Sequence, residues 1–319
     1  MKLLPFEKPL AELYDKIAQL RKLSIEGNID LSSEIEKIES RAEQVRKEIY
    51  TNLTPNQIVQ VARHPHRPDT ASLIRLIFDT FVELHGDRLF GDDPAIVGGI
   101  ATLGKFRVVV MGHQKGHDTK ENIHRNFGMP NPEGYRKALR LMEMADRFRM
   151  PIITFIDTPG AYPGIEAEER GQAEAIARNL REMAGFTVPI ISFVIGEGGS
   201  GGALGIGVAN RLYMLQNAVY SVISPEGCAS ILFRDSKKSD IAADAMKITA
   251  TEIMKLGIAD GIIQEPLGGG HHDWKMVAQR IQETVQAELL NFKSLSGNEI
   301  KAQRYAKFRA MGRFLEPLE

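Results

Sequence analysis

The stretch IISFVIGEGGSGGALG, residues 190–205, decides which fold this chain can adopt. An apolar, β-branched run leads into a cluster of glycines, and small residues suited to a tightly packed helix follow from Gly201. This order predicts a buried strand that gives way to a helix. The first N–H groups of a helix have no intrahelical acceptor, and the helix dipole adds positive potential there. Because glycine lets a ligand approach the backbone, the junction is a predicted anion site for a phosphate, a tetrahedral oxyanion or an enolate.

The composition is typical of a globular protein with a full hydrophobic core. Of 319 residues, 43% are hydrophobic and 25% are charged. The formal net charge of −1 provides no overall positive field for nucleic acid or for an anionic membrane. No apolar run reaches the roughly 20 residues that span a bilayer, and no signal-peptide segment is recognisable at the N-terminus. The single cysteine, Cys228, cannot form an internal disulfide or a cysteine-based zinc site, so we expect a reducing, cytoplasmic location.

The order of predicted elements indicates an α/β fold that follows a helical N-terminus. Residues 8–52 carry apolar side chains three and four positions apart, which predicts two helices in an antiparallel hairpin that turns at Gly27. The hairpin either packs on its own domain or forms a subunit contact. A helix is predicted over 70–84, and from residue 95 onward apolar strands alternate with helices, which favours a mostly parallel sheet. We divide the chain into a helical hairpin (1–54), an α/β domain (55–296) and a C-terminal basic tail (297–319).

A second strand end has similar chemistry. The segment IDTPGAYPG, residues 156–164, follows an apolar run and contains two glycines and two prolines. It is separated from the glycine cluster by one predicted helix. If the two strands are neighbours, both loops open at the carboxyl edge of the sheet, where α/β folds place ligands. Without that pairing, the segment is an ordinary proline-glycine turn.

Two established motifs compete for the glycine cluster. Gly196, Gly198 and Gly201 match the glycine spacing of a dinucleotide-binding motif. However, the next predicted strand ends at Ser224 and has no acidic residue that could bind a ribose hydroxyl. Gly198-x-Ser200-x-Gly202 matches the nucleophile-elbow motif of serine hydrolases, with His271 or His272 downstream as the candidate base. This order of residues matches the triad of α/β-hydrolases.

A third interpretation is an oxyanion hole without a nucleophile. Here the backbone N–H groups of Gly201 and Gly202 stabilise a developing negative charge. The basic segment 112–138, which contains Lys115, Arg125 and Arg136, would then meet an anionic ligand. The alternative for that segment is a solvated loop. We expect no metal site, because Gly116 disfavours the helix that would align His113 with His117.

Long motifs, rather than single glycines, carry a resemblance to a known family. The segments IDTPGAYPG (156–164), GEGGSGGA (196–203), ISPEGCA (223–229) and 125–138 closely resemble the α subunits of the bacterial acetyl-CoA carboxylase carboxyltransferase. The resemblance covers essentially the whole chain, including the helical hairpin. Residues 245–263 are also similar to the crotonase superfamily. The fold class implied is therefore α/β, a crotonase-like (ClpP/crotonase) ββα spiral with an N-terminal helical hairpin.

The resemblance implies that two different subunits each contribute part of the active site. Such an α subunit binds carboxybiotin, delivered on the biotin carboxyl carrier protein and not attached to this chain, and the carboxyl group passes to acetyl-CoA to give malonyl-CoA. A β subunit carries the zinc and completes the site, in an α2β2 heterotetramer. Biotin carboxylase, which supplies the ATP-dependent step of the complex, is the further implied partner. This is the first committed step of fatty acid synthesis.

The same resemblance assigns residues. The backbone amides of Gly201 and Gly202 would form an oxyanion hole for the ureido oxygen of biotin, with no side-chain base required. The candidate substrate-binding residues are Gly160, Ala161, Gly198, Gly199, Lys115, Arg125 and Arg136, and no metal ligand is assigned to this chain. A serine hydrolase that uses Ser200, or a scaffold held by the hairpin, would be the alternatives.

Overall fold

The computed structural model describes residues 3–312, which form fourteen α-helices and eight strands. The helices are α1 Lys8–Gly27, α2 Ser32–Thr51, α3 Pro55–Ala62, α4 Thr70–Ile77, α5 Thr119–His124, α6 Pro132–Arg147, α7 Ile165–Glu169, α8 Gln172–Gly185, α9 Ser200–Leu204, α10 Pro225–Phe233, α11 Ser239–Met246, α12 Ala250–Lys255, α13 Trp274–Phe292 and α14 Gly297–Ala310. The strands are β1 Thr80–Glu83, β2 Ile96–Leu103, β3 Phe106–His113, β4 Ile152–Thr158, β5 Ile190–Gly199, β6 Arg211–Leu215, β7 Val219–Ser221 and β8 Gly261–Ile263.

All eight strands belong to one mixed sheet. Its order is β1-β2-β3-β4-β5-β6-β8, and β7 pairs with β5. The first two pairings are antiparallel, and every later pairing is parallel. Helix α6 packs on β2 and β3, and α4 packs on β1, β2 and β3. The parallel strands are buried on both sides, which explains their continuous apolar sequences.

Strands β4 and β5 are parallel neighbours, as the shared-edge hypothesis requires. Their carboxyl ends carry the IDTPGAYPG loop and the glycine cluster, which therefore meet at one edge of the sheet. Strand β5 is longer than the sequence predicts. It pairs with β6 through residues 191–194 and then with β7 through Glu197–Gly199. The first glycines of the cluster therefore lie in a strand, because β7 offers them backbone partners.

The N-terminal helices form the predicted hairpin. Helix α1 ends at Gly27, and Asn28 adopts a left-handed conformation that turns the chain. The two helices are joined by an ion pair between Arg21 and Glu39, 2.6 Å apart, and by a hydrogen bond from Arg46 to the hydroxyl of Tyr14. The boundary of this hairpin at residue 54 stays a prediction.

Two sequence predictions for regular structure differ from the fold. The helix predicted over 70–84 ends at Ile77, and residues 80–83 form the edge strand β1. Phe78, which caps α4, is already extended, and β1 gains its hydrogen bonds from β2, a tertiary partner that local periodicity does not reveal. Strand β6 was not predicted.

The predicted basic tail is a folded element over its described part. Helix α14 begins with a capping box, in which the Ser296 hydroxyl accepts from Glu299 N and the Glu299 carboxylate accepts from Ser296 N. Arg304 is 1% exposed. Its guanidinium donates to the carbonyls of residues 183, 186 and 188, at 2.7–2.8 Å, and to the side-chain oxygen of Asn210. Residues 313–319 of that prediction lie outside the described residues.

Candidate active site

The carboxyl ends of β4 and β5 bring two predicted site segments into direct contact. A Cβ atom added at Gly202 would lie 2.6 Å from the backbone nitrogen of Ala161 and 2.6 Å from the carbonyl carbon of Gly160. Real Cβ contacts are never this short, so the backbone of α9 lies directly against the IDTPGAYPG loop. The absence of a side chain at Gly202 is therefore a packing requirement between the two segments.

The glycine cluster divides into closed and open positions. A Cβ at Gly196 would meet the carboxylate of Asp157 at 2.4 Å, one at Gly198 would meet the ring of Tyr220 at 2.3 Å, and one at Gly199 would meet the Pro159 carbonyl oxygen at 2.2 Å. At Gly201 the nearest atoms belong to Ile176, 3.8 Å away. The protein itself fills the space beside the first three glycines. Gly201 is the position in this cluster where a ligand has room to approach.

The N–H groups at this edge differ in whether they are already bonded. Gly160 donates its N–H to the Thr158 hydroxyl at 3.0 Å, so that donor is engaged within the loop. Ala161 and Gly201 have no acceptor for their N–H groups among residues 3–312. Helix α9 has only five residues, so its dipole is small and the individual N–H groups provide the donors. The structure thus favours Ala161 over Gly160 as a direct donor.

A chain of ion pairs lies beneath these loops. Lys115 Nζ is 2.7 Å from Asp157 Oδ1 and 2.9 Å from Glu197 Oε2. Glu197 Oε1 is in turn 2.7 Å from Arg63 Nε, and Arg63 reaches Glu226 at 2.6 Å. The backbone N–H of Glu197 also donates to Asp157 Oδ1. The network joins β4, β5 and α10 to the segments that follow β3 and α3, so it fixes the relative positions of the two strand ends.

The charges in this network stabilise one another. Burial alone would lower the pKa of Lys115, but the carboxylates of Asp157 and Glu197 raise it to about 12. Burial would likewise raise the pKa of Glu197, but Lys115 and Arg63 lower it to about 2. Both groups stay ionised at neutral pH. Lys115 was predicted to meet an anionic ligand, and here two carboxylates already compensate its charge.

The predicted arginines are also engaged by protein groups. Arg136 donates to Asp87 at 2.8 Å, to Glu133 at 3.1 Å and to the carbonyl of Arg170 at 2.9 Å. Arg125 donates to the carbonyl of Pro94 at 3.0 Å. These contacts show how the 112–138 segment is held, and a role for either arginine in substrate binding stays a prediction.

An apolar cavity opens beside Gly201. Its volume is about 460 Å³, within the usual size range of small-molecule sites. Ser200 and Gly201 are among its lining residues. Leu204 of α9 also lines the cavity. The other lining residues come from β7, α10, α11 and α12 and the segments around them: Tyr220, Ser221, Val222, Ile223, Cys228, Met246, Lys247, Ile248, Ile253, Leu256 and Ile258. The cavity is therefore mainly apolar, and Gly201, whose N–H has no acceptor among residues 3–312, is one of its lining residues.

The serine-hydrolase alternative lacks a catalytic base. Ser200 is exposed and has a left-handed φ of 51°, as a nucleophile elbow would. However, neither His271 nor His272 hydrogen-bonds to it among the described residues. His271 instead stacks on His64, with ring centroids 3.8 Å apart, and burial lowers its pKa to about 2. The serine-hydrolase interpretation is therefore not supported.

The two histidines of the basic segment have separate surroundings. His117 Nε2 lies 2.5 Å from Asp69 and stacks on Trp274, while His113 is fully buried and its burial lowers its pKa to about 3. Within residues 3–312 there is no group of three or more His, Cys, Asp or Glu side chains that could hold a metal ion.

Sequence reasoning missed the residues that organise the site. Asp157, Glu197, Arg63 and Glu226 were not selected, although the first two and Glu226 lie inside motifs that were quoted. The available signal was a single acid, Glu197, within an otherwise apolar and glycine-rich run. A charge at such a buried position requires a partner, but the partner Lys115 is 82 residues away and could not be chosen from sequence alone.

Comparison with known proteins gives a consistent result. The sequence model of the family described as "Acetyl co-enzyme A carboxylase carboxyltransferase-like" matches residues 3–312. The chain is 58% identical, over 98% of both chains, to the acetyl-coenzyme A carboxylase carboxyl transferase subunit alpha of Geobacter metallireducens. It is 59% identical to the protein of the same name from Synechocystis sp., over 98% of this chain and 96% of that one.

Solved structures agree on the fold. A transcarboxylase 12S structure matches 72% of this chain and 43% of its own, with a TM-score of 0.58 and 20% identity. A Pseudomonas malonate decarboxylase hetero-tetramer in complex with coenzyme A matches 69% of this chain and 90% of its own, with a TM-score of 0.54 and 20% identity. These neighbours confirm the crotonase-like fold. Over residues 3–312, no helix has the length and apolar character needed to cross a membrane. By sequence over its whole described length, the chain belongs to the acetyl co-enzyme A carboxylase carboxyltransferase-like family.

Proposed function

We propose that this chain is the α subunit of an acetyl-CoA carboxylase carboxyltransferase, which moves a carboxyl group from carboxybiotin to acetyl-CoA and forms malonyl-CoA. Identities of 58–59% over nearly full length to relatives of that name support this activity. The structural observation that carries the proposal is the contact between α9 and the IDTPGAYPG loop, which gathers the free N–H groups of Gly201 and Ala161 at one edge. The activity serves fatty acid synthesis.

The site has the chemistry that a biotin group requires. Biotin has an apolar body and a polar ureido group, and the 460 Å³ cavity has mainly apolar walls with Gly201 among its lining residues. When bound, the biotin group supplies the carboxyl that is transferred. Gly201 N–H, assisted by Gly202 or Ala161, would donate to the ureido oxygen and stabilise negative charge there. The ion network of Lys115, Asp157 and Glu197 holds both strand ends in position.

We infer that the site is one half of a complete active site. The name "subunit alpha" of the relatives supports a second subunit in the same enzyme. In our proposal a β subunit carries the zinc and holds acetyl-CoA, and two chains of each kind form a heterotetramer. The biotin arrives on the biotin carboxyl carrier protein after an ATP-dependent step on biotin carboxylase. The complex would work in the cytoplasm.

The proposal is tested by reconstitution. Purified chain alone is expected to form no malonyl-CoA from carboxybiotin and acetyl-CoA, and addition of the β subunit is expected to restore turnover. Full activity of the isolated chain would overturn the half-site proposal. Labelling with a fluorophosphonate serves as the control, because a reactive Ser200 would be modified and a bystander would not.

The oxyanion donor is tested by a matched pair of variants at Gly201. Gly201→Ala and Gly201→Pro both add a Cβ into open space, but only proline removes the N–H. In the reconstituted enzyme we expect Gly201→Pro to lose about 10²–10³-fold in kcat relative to Gly201→Ala. Equal kcat values, with similar melting temperatures for both variants, would remove the Gly201 N–H from the mechanism.

A further inference from the structure

A large cavity lies at the opposite edge of the sheet from the glycine cluster. We call it the amino-edge cavity, because it sits where β4 and β5 begin. Its volume is about 760 Å³, and it is lined by Ile100, Lys105, Phe106, Arg107, Met144, Phe148, Arg149, Met150, Pro151, Pro189, Leu289, Phe292 and Lys293. Strand β4 has seven residues, so at about 3.3 Å per residue the cavity is about 20 Å from the IDTPGAYPG loop. It is not part of the site described above.

The walls of the amino-edge cavity are apolar. Nine of its thirteen lining residues are aliphatic, aromatic, methionine or proline. They come from the β2–β3 hairpin, the end of α6, the starts of β4 and β5, and the end of α13. Phe148 is 66% exposed at this place, although it is one of the largest apolar side chains in the chain. A ligand with an apolar tail would cover this surface and remove it from contact with water.

The remaining four lining residues are all cations. Lys105, Arg107, Arg149 and Lys293 are exposed, and none of them has a carboxylate partner among residues 3–312. No acidic residue lines the cavity. This differs from the carboxyl edge, where Arg63, Lys115 and Arg136 all contact carboxylates. Four cations around one apolar cavity, with no acid among its lining residues, make a field that favours an anion at the mouth.

The position of Arg149 adds an independent observation. Arg149 follows the C-terminus of α6 in a left-handed conformation, with φ of 56°, and the Met150 N–H closes the turn on the Ala145 carbonyl at 2.8 Å. Glycine is the usual residue at this position because a Cβ is disfavoured there. Glycine would adopt this backbone conformation with less strain than arginine does. Arginine instead places a guanidinium at the rim of the cavity, which is consistent with use in binding.

We propose that the amino-edge cavity binds one single-chain amphipathic anion, with its apolar tail on the cavity wall and its anionic head at the four cations. A bare phosphate would leave the apolar wall exposed, and a neutral chain would leave the cations without a partner. A concave site that encloses one tail fits a free amphiphile better than a lipid bilayer. The proposal concerns binding, so its outcome is independent of the carboxyl transfer proposed above.

The test uses isothermal titration calorimetry on the full chain assembled with its β subunit. The titrants are decyl phosphate and decanoate below their micelle concentrations, with decanol and inorganic phosphate as comparisons. We expect saturable binding of one decyl phosphate or decanoate per chain, at least 10-fold weaker binding of decanol, and none of phosphate. Binding of phosphate alone, no saturable binding, or binding only to anionic phospholipid vesicles would each overturn the proposal.

Variants locate the ligand. Arg149→Gly combined with Lys293→Gln removes two rim cations, keeps the left-handed turn, and is expected to weaken decyl phosphate at least 10-fold. Met144→Trp fills the apolar wall and is expected to have the same effect on decanoate. Arg147→Gln, on the same helix but outside the cavity, is the matched control and should bind as the parent does. Equal affinity in all variants would overturn the assignment of the cavity, and thermal melting confirms that each variant is folded.

Discussion

The two edges of the sheet differ in whether their cations are paired with carboxylates. At the carboxyl edge, Lys115, Arg63, Asp157 and Glu197 form a continuous network at 2.7–2.9 Å. The glycines beside them, other than Gly201, are closely packed against backbone and side chains. At the amino edge, four cations stand around an apolar cavity without acidic partners in the described part of the chain. The paired charges at the carboxyl edge hold the two strand ends in place. The cations at the amino edge have no carboxylate partner, and we propose that they bind a ligand.

The largest expected effect is the removal of a charge from the carboxyl edge. Lys115→Met leaves the carboxylates of Asp157 and Glu197 without their shared cation in a mostly buried setting. We expect the free energy of unfolding to fall by about 3–5 kcal/mol in urea titrations. The matched variant at the other edge, Lys293→Met, should change it by less than about 0.5 kcal/mol. A similar small loss in both variants would show that the two edges do not differ.

The next largest effect is a difference in stability between alanine variants of the adjacent residues Gly201 and Gly202. Gly202→Ala forces a Cβ to within 2.6 Å of the backbone of Gly160 and Ala161, whereas Gly201→Ala has 3.8 Å of clearance. We expect Gly202→Ala to lose about 1–3 kcal/mol of stability and Gly201→Ala to lose much less. Thermal melting of the two variants makes the comparison. Equal melting temperatures would contradict the close contact between the two segments.

A pH dependence is expected from the ion pair between His117 and Asp69. The hydrogen bond with Asp69 raises the pKa of His117 to about 9 from an ordinary value near 6.5. The folded state thus binds the proton more tightly, so this stabilisation is complete below pH 6.5 and is lost as the pH rises through 9. The melting temperature of the parent chain should fall across that window more than that of His117→Gln. Parallel curves for the two proteins would show that the pair contributes nothing.

The smallest effect is expected at the amino edge. Arg149→Gly replaces a residue with a φ of 56° by the residue that this conformation favours. We expect stability to stay the same or to rise by up to about 1 kcal/mol, because relief of strain is offset by the greater freedom of glycine in the unfolded chain. Urea titration measures it. A loss above about 1 kcal/mol would mean that Arg149 supports the fold rather than a ligand.

Much of the sheet could be predicted from sequence. The buried strands β4 and β5 are continuous apolar runs with a helix between them, so a shared edge followed from general rules on the condition that the two strands are neighbours. The structure supplies that condition. The resemblance in long motifs then specified the fold family, which periodicity alone did not. The edge strand β1 and the strand β6 were not predicted, because the hydrogen bonds that form them come from strands remote in sequence.

The candidate site was less predictable for a related reason. Whether a glycine is open or closed depends on what lies opposite it: Tyr220 fills the space at Gly198, and the Pro159 carbonyl fills it at Gly199. A sequence pattern treats these positions and Gly201 alike. The same applies to Lys115, whose basic character was evident but whose two carboxylate partners become apparent only in three dimensions.

Arg304 has a consequence for how the protein is made. Its guanidinium is the donor for three carbonyls around the turn between α8 and β5 and for the side chain of Asn210. During synthesis these acceptors emerge from the ribosome more than ninety residues before their donor. The acceptors near the amino end of β5 therefore cannot form these native hydrogen bonds until α14 has been translated. A nascent chain stopped before residue 304 would be expected to remain sensitive to proteases however complete its active-site loops already were.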